Sequence, residues 1–307
     1  MKNKRKTTIV ILLLALGLLF GIKAGADASA GYTIYVNRKT NVVNVVNSSG
    51  TVVRSMYCST GKGYSTIKGT YRTRNKMRWH ALYHGVFGQY CTRIHGAYLF
   101  HSVPYKRVSK SRLSIKDYNR LGTQASAGCI RLAVIDAKWI YDHCRRGTKV
   151  VIGESRQLKQ PDRKKIKLST SSKTGWDPTD PDPDNPYHPK ISYKKGASKV
   201  LGYGEEFDPL DRITVSSRLT KKKELIKCVR VSGKVNVKKP GRYKLTYTVT
   251  DPATLLSRSL KVTFTVKKQS LKEKQAEENI SKSITNEEPA VPTTNNNQEE
   301  TTNGTAL

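Results

Sequence analysis

Apolar and polar residues alternate from Gly31 to about Val53, first through Tyr32, Ile34 and Val36, then through Val43 and Val45 beside Val42 and Val46. A period of two marks a strand, and Asn47-Ser48-Ser49-Gly50 supplies turn chemistry between the runs, so this segment predicts strands joined by hairpins. The period changes between Val134 and Cys144, where Val134, Ala137, Ile140, Tyr141 and Cys144 recur at helical spacing until Gly147 ends the run. A strand over Thr148 to Ile152 follows. Farther on, Arg242 to Thr250 and Leu260 to Val266 alternate cleanly, and Leu225 to Val231 adds another candidate strand. The pattern predicts a mainly β chain: a mostly antiparallel sheet curling around itself with one short helix against it, then a second β module.

With 307 residues the chain has room for two domains. Its N-terminus runs Met1-Lys2-Asn3-Lys4-Arg5-Lys6, then an apolar stretch from Ile9 to Ile22, then Ala28-Ser29-Ala30. These are the basic, apolar and small-residue regions of a secretory signal peptide, with cleavage expected after Ala30. Left uncleaved, the same segment would be a membrane anchor, which is the only membrane contact the sequence suggests. From about Lys164 to Lys190 the composition turns to Ser, Thr, Asp and Pro, culminating in Trp176-Asp177-Pro178-Thr179-Asp180-Pro181-Asp182-Pro183-Asp184-Asn185-Pro186, which reads as a semi-rigid linker. The end of the chain is polar and low in aromatics, the composition of disorder. The expected organisation is a signal peptide over 1–30, a first domain over 31–157, a Pro/Asp/Ser-rich linker over 158–190, a second domain over 191–267 and a disordered polar tail over 268–307.

Charge narrows the partner. The formal net charge is +33, from 56 Lys+Arg against 23 Asp+Glu, and residues 31–157 alone hold 22 against 4. Such a surplus favours a polyanion or an anionic surface. No zinc-finger, helix-turn-helix or RNA-binding motif is present, so nucleic acid is not expected, and an exported chain meets anionic wall polymers first. No H-E-x-x-H or paired Cys/His spacing points to a metal, and no cofactor is expected. Five cysteines in an exported chain leave at least one thiol unpaired. Cys58 with Cys144 is a reasonable disulfide, as is no disulfide at all.

The densest chemistry lies in Ala125-Ser126-Ala127-Gly128-Cys129-Ile130-Arg131-Leu132. A thiol is a nucleophile in its thiolate form, flanking cations and backbone N–H groups promote that form, and Gly128 allows close approach of backbone to a substrate carbonyl. Arg131 adds a planar fork suited to a carboxylate. Upstream stands a strand ending in His101-Ser102, and downstream come a helix and the strand Thr148 to Ile152. In this order the sequence resembles the L,D-transpeptidase catalytic domain, the YkuD-like family, whose pattern is a histidine, a spacer, then Ser/Thr-x-Gly-Cys followed by an apolar residue and Asn or Arg. The segment Ser59-Thr60-Gly61 through Gly69-Thr70-Tyr71 is similar to an early family motif, with Ile67 where a proline is common. Pro240-Gly241-Arg242-Tyr243 through Asp251 resembles the signature of bacterial immunoglobulin-like surface domains.

The resemblance implies an L,D-transpeptidase-type β-sandwich with one short helix, followed by an immunoglobulin-like β-sandwich. It makes Cys129 the nucleophile and His101 its base, with Ser126 or the carbonyl beside it holding the imidazole and the N–H groups of Gly128 and Cys129 facing an oxyanion. Ala127 replaces a histidine common in relatives. Ile94-His95-Gly96 offers a second histidine; if one strand held both, His95 and His101 would face the same side. His101 is favoured as base, and His95 and Arg131 are expected to contact substrate. The spacer to Cys129 is long, which suggests that Tyr105 to Arg120 is an inserted lid or substrate loop. Residues Lys76 to Arg93, with Trp79, His80, Tyr83 and His84, are expected to frame the cleft. The implied activity is formation of 3-3 cross-links on peptidoglycan tetrapeptide stems by a secreted, wall-associated enzyme. An L,D-carboxypeptidase and an inactive, basic wall-binding protein are the alternatives. A papain-like arrangement would place the cysteine before its histidine, the reverse of the order here.

Overall fold

A computed structural model describes residues 31–171 and 174–285. The expected signal peptide and the last part of the polar tail lie outside these residues. The chain divides into two compact units. The first runs up to Ile191 and includes Val215–Val229 and Thr248–Arg258; the second comprises Ser192–Thr214, Arg230–Tyr247 and the chain from Ser259.

The first unit is built on nine strands: β1 (Thr33–Asn37), β2 (Val42–Val46), β3 (Val52–Ser59), β4 (Gly69–Arg72), β5 (Lys76–Leu82), β6 (Val86–His95), β7 (Tyr98–Ser102), β8 (Ile130–Leu132) and β9 (Lys149–Gly153). They form one sheet in the order β4-β9-β1-β2-β3-β8-β7-β6-β5, curved as a half-barrel. The expected hairpins are present, but the sheet is mixed, because β1 pairs with β9 and β7 with β8 in parallel. The second of these parallel pairs positions the site. The helix α1 (Ile115–Tyr118) is a single turn and α2 (Val134–His143) is the helix expected from the apolar spacing. Val134, Ala137 and Ile140 from α2 pack with Ile34, Val36, Val43, Val45, Phe100, Ile130 and Leu132 into the core. Full burial of each large aliphatic side chain contributes about 2 kcal/mol.

Strand β2 explains its own irregular pattern. All five of its residues are buried, because chain from the expected linker covers its second face. Asn44 donates to the Ser55 hydroxyl (2.7 Å) and the Lys159 carbonyl (3.0 Å), and accepts from the Leu158 N–H (2.9 Å). The Asp162 carboxylate accepts from the Ser55 N–H (2.8 Å), and Arg163 forms a buried ion pair with Asp136 of α2. The side chain of Asn119 both donates to the Leu168 carbonyl (2.8 Å) and accepts from the Leu168 N–H (2.7 Å).

Residues 158–171 and 174–188 therefore belong to the first unit, which corrects the reading of this stretch as a linker. Asp177 is fully buried, and its carboxylate accepts from the Val134 N–H at the start of α2 (3.0 Å) as well as from the Thr179 N–H and hydroxyl (2.8 and 2.7 Å). It serves as the helix cap that Ala133, with no polar side chain, cannot supply. Proline density rules out ladder pairing, yet short Asp, Thr and Asn side chains satisfy the irregular backbone locally, so the segment can be buried.

The Tyr105 to Arg120 stretch is pinned at both ends, with Tyr105, Leu113 and Tyr118 buried and the Leu113 N–H donating to the Gly175 carbonyl (2.8 Å). Lys106 to Val108, Ser111, Arg112 and Lys116 are its exposed positions. All five cysteines are free thiols, so the Cys58 to Cys144 bridge is not formed; both are buried in the core, where burial pushes Cys144 up to about 12 and Cys58 higher still.

Farther along the chain, Gly241–Thr250 and Ser257–Val266 supply the expected alternating strands, burying Leu245, Tyr247 and Phe264. The end of the latter pairs in parallel with Val200–Leu201. The candidate strand from Leu225 begins later than expected: Lys222–Leu225 is helical, a 3-10 turn follows, and the strand is Val229–Ser232. Where composition suggested disorder from residue 268, Leu271–Thr285 is a helix. Its Lys, Glu, Gln and Ala content favours a helix.

Candidate active site

Parallel pairing of β7 with β8 brings the two expected reactive residues together. The register sets Phe100 beside Ile130 and His101 beside Arg131, which leaves Cys129 one step before β8, next to Leu99. Cys129, His101, Arg131, Ser126 and Gly128 line one cavity of about 640 Å³, together with His80 of β5, Tyr83 and His84 from the β5–β6 turn, and Arg93 and Tyr98. No acidic side chain among the described residues lines it. The expectation that Lys76 to Arg93 frames the cleft agrees with this wall.

His101 is 2% exposed, and its Nδ1 lies 2.6 Å from the Ser102 carbonyl. A carbonyl only accepts, so Nδ1 carries the proton and Nε2 keeps its lone pair for proton transfer. Burial holds the imidazole down at about 3, with Arg131 and His80 pushing the same way and the Ser102 contact opposing. The Cys129 thiol is raised above its ordinary value by burial, against the lowering effects of the Leu99 N–H, Arg131 and Arg93. The resting site is thus a neutral thiol and a neutral imidazole, not the thiolate that flanking cations and backbone N–H groups were expected to promote.

Ser126 has a different task from the one expected. Its hydroxyl donates to the Cys129 carbonyl (2.6 Å) and accepts from the Gly128 N–H (3.0 Å), so it ties the loop to itself, and the imidazole is held by Ser102 instead. The same bond occupies the Gly128 N–H, removing it from an oxyanion hole. The Gly128 carbonyl accepts from Thr66 Oγ1 (2.7 Å). With φ of +145° and the Tyr98 ring 2.9 Å from where a Cβ would sit, position 128 admits only glycine without strain.

His95 and His101 do not share a strand. A turn at Gly96-Ala97 separates β6 from β7, and His95 pairs back with Tyr98. His95 is exposed and packs against Tyr71, ring centroids 5.3 Å apart, without lining the cavity. Arg131 does line it, with one arm of its fork bound to Asp117 of α1 (2.8 Å). The Ser114 hydroxyl donates to the same carboxylate (2.6 Å). Ser102, Asp117, Arg93 and Tyr98 were not singled out from sequence. Arg93 alone left a signal, as a cation two residues before His95 in the framing segment.

Residues 31–152 match the L,D-transpeptidase catalytic domain, YkuD, and residues 191–263 match the bacterial surface protein Ig-like domain. The first unit carries a YkuD-family L,D-transpeptidase catalytic domain. Over 59 residues the chain is 52% identical to the putative L,D-transpeptidase YciB of Bacillus subtilis (strain 168), covering 19% of this chain and 29% of that protein. Solved structures similar to the chain include an L,D-transpeptidase, LdtMt1, in complex with imipenem (19% identity, 40% of this chain and 59% of that one, TM-score 0.34). Another is the L,D-transpeptidase from Mycobacterium smegmatis (20% identity, 40% and 58%, TM-score 0.34). The match thus spans less than two thirds of each of these relatives. No helix among the described residues is long and apolar enough to cross a membrane. A catalytic domain of a wall enzyme family followed by a bacterial surface module suggests a cell-wall location.

Proposed function

We propose that the protein is a secreted L,D-transpeptidase that acts on peptidoglycan tetrapeptide stems through Cys129. The observation that carries this reading is the shared cavity of Cys129 and the Nδ1-anchored His101, lined by two arginines and no carboxylate. His101 Nε2 takes the thiol proton as Cys129 sulfur attacks the carbonyl of the third stem residue. The tetrahedral intermediate collapses to a thioester as D-alanine leaves, its amine taking up that proton. An amine of a neighbouring stem then attacks the thioester, its proton passing through His101 back to the thiol, and a 3-3 cross-link results. A general base fits a neutral resting pair, since the charge separation forms only during attack. With the Gly128 N–H occupied by Ser126, the Cys129 N–H would face the oxyanion, and Arg131, steadied by Asp117, would meet a stem carboxylate. Gly128 serves by shape and Ser126 by holding the loop.

Mass spectrometry of tetrapeptide muropeptides incubated with the protein, beside Cys129→Ala, tests this reading. Cross-linked dimers that have lost one D-alanine are expected from the parent alone. Tripeptide monomers without dimers would make it an L,D-carboxypeptidase, and turnover by Cys129→Ala would sink the nucleophile assignment. Substrate left unchanged by the parent, with wall binding retained, would favour a binding protein.

A further inference from the structure

We infer that the β4 edge of the sheet docks an anionic phosphodiester polymer on a surface made by Arg72, Arg74, Arg145, Arg146 and Lys149. All five side chains are exposed, and no ion pair among the described residues involves any of them. The backbone beneath them is locked. Thr73 is buried, its N–H donates to the Thr148 carbonyl (2.9 Å), its hydroxyl donates to the Arg145 carbonyl (2.7 Å) and accepts from the Thr148 N–H (3.0 Å), and its carbonyl accepts from the Gly147 N–H (2.8 Å). The Arg72 guanidinium donates to the Gly147 carbonyl (2.9 Å). Two stretches distant in sequence are thereby held as one basic surface.

The register makes this surface electrostatically unsatisfied. Arg72 stands directly opposite Lys149 on neighbouring antiparallel strands. Cross-strand partners lie about 5 Å apart at Cβ, and like charges there are destabilising unless an anion intervenes. Residues 69–76 and 143–153 contain no Asp or Glu to supply one. The nearest acid in sequence, Asp142, is paired with Lys138, and Glu154 is paired with Arg38 and Lys68. Charges on an edge strand often guard against edge-to-edge pairing, but Arg145 and Arg146 lie outside the strand, in the turn after α2, where that role does not arise.

Four of the five cations are arginines, whose planar forks bind phosphate oxygens two at a time, and their spread along an edge suits an extended chain better than a single ion. The surface also reaches the cleft. The Arg74 N–H donates to the Arg93 carbonyl (2.7 Å), the Arg93 N–H donates to the Asn75 carbonyl (3.0 Å), and Arg93 lines the cavity. A polymer held at this edge would keep the cleft close to the wall that carries it. This inference borrows from the proposed function only the wall-facing location, and its test leaves Cys129 untouched.

The test is a salt titration of poly(glycerol phosphate) binding to the full chain, followed by fluorescence anisotropy. Arg74→Gln/Arg145→Gln/Arg146→Gln/Lys149→Gln is compared with a control of equal charge change at four exposed lysines, Lys221→Gln/Lys222→Gln/Lys223→Gln/Lys227→Gln. Arg72 is spared because its guanidinium braces the Gly147 turn. The edge variant is expected to bind at least about tenfold more weakly, with a log K against log salt slope shallower by about three, since each lost phosphate contact removes roughly 0.7 to 0.9. The control should change less than about twofold, and both should process a soluble stem peptide like the parent. Equal weakening of both variants, or none in the edge variant, would overturn the inference. So would equal affinity for poly-glutamate, or binding confined to anionic vesicles or duplex DNA. Loss of stem turnover in the parent would count against the proposed function alone.

Discussion

The loop that carries Cys129 and the Asp/Pro segment over 174–188 are both irregular backbone held by short polar side chains, yet they put those bonds to opposite use. In the first, Ser126 within the loop and Thr66 in the β3–β4 connection secure the chain so that one thiol stays accessible in a cavity. In the second, Asp177 and Thr179 reach outward to cap α2, Gln89 of β6 donates to Asp180 (3.2 Å), and Lys110 of the insertion is paired with Asp182. The lesson is that the reactive loop is secured so as to leave a thiol accessible, whereas the Asp/Pro segment lends its own acceptors to the elements around it. Substitutions in the two should therefore separate chemistry from folding.

The largest separation is expected at Cys129. Cys129→Ala should remove all stem turnover while leaving the thermal midpoint within a degree or so of the parent, and a large loss of midpoint would mean that the thiol is a packing element. His101→Gln should follow, lowering kcat by about 10²- to 10⁴-fold, the usual range for a general base. If its kcat held, the base would lie elsewhere on the cavity wall, and His80 and His84 would be tested next. On the other side of the comparison, Asp177→Ala leaves the Val134 and Thr179 donors buried without acceptors, for an expected loss of about 1–3 kcal/mol in denaturant unfolding. An unchanged unfolding midpoint would return the segment to the status of a linker.

A smaller effect tests the link between the two regions. Asp117→Ala frees Arg131 from its tether, and KM for a stem bearing a free carboxylate should rise about two- to fivefold with kcat little changed, as befits a partly buried ion pair that steadies a binding group. The finest test is in pH. The fold favours neutral His101, so an unfolded chain takes up a proton below 6.5 that the folded one refuses until about 3. Stability from this group is complete above 6.5 and declines as pH falls toward 3. Asp177, raised to about 6 by burial, works in the opposite sense, its cost easing as pH falls from 6 toward 3.8. Comparing parent with His101→Gln isolates the histidine: the parent should lose stability more steeply on acidification between 6.5 and 4, and parallel curves would contradict its burial as a neutral group.

Much of the site was legible because its signals are local. The order of His101, Ser126, Gly128, Cys129 and Arg131 survives in the linear chain, and Gly128 announces a conformation that other residues resist. What the histidine touches was not legible, since the choice between Ser126 and Ser102 as its anchor depends on which strands pair. The shared-face argument for His95 failed on a turn of two small residues, Gly96-Ala97, too short to distinguish by composition from a continuing strand.

By itself the sequence determined a mainly β chain, the place of α2, two resembled modules, and one thiol in a glycine-bearing loop, because period, turn chemistry and residue type act over a few positions. Only the tertiary structure decided that β7 and β8 run parallel, that the thiol and imidazole rest uncharged, and that the Asp/Pro stretch is buried. Those outcomes depend on desolvation and on hydrogen bonds between residues up to 117 positions apart, such as Asn37 to the Glu154 carbonyl, and no local pattern carries that information.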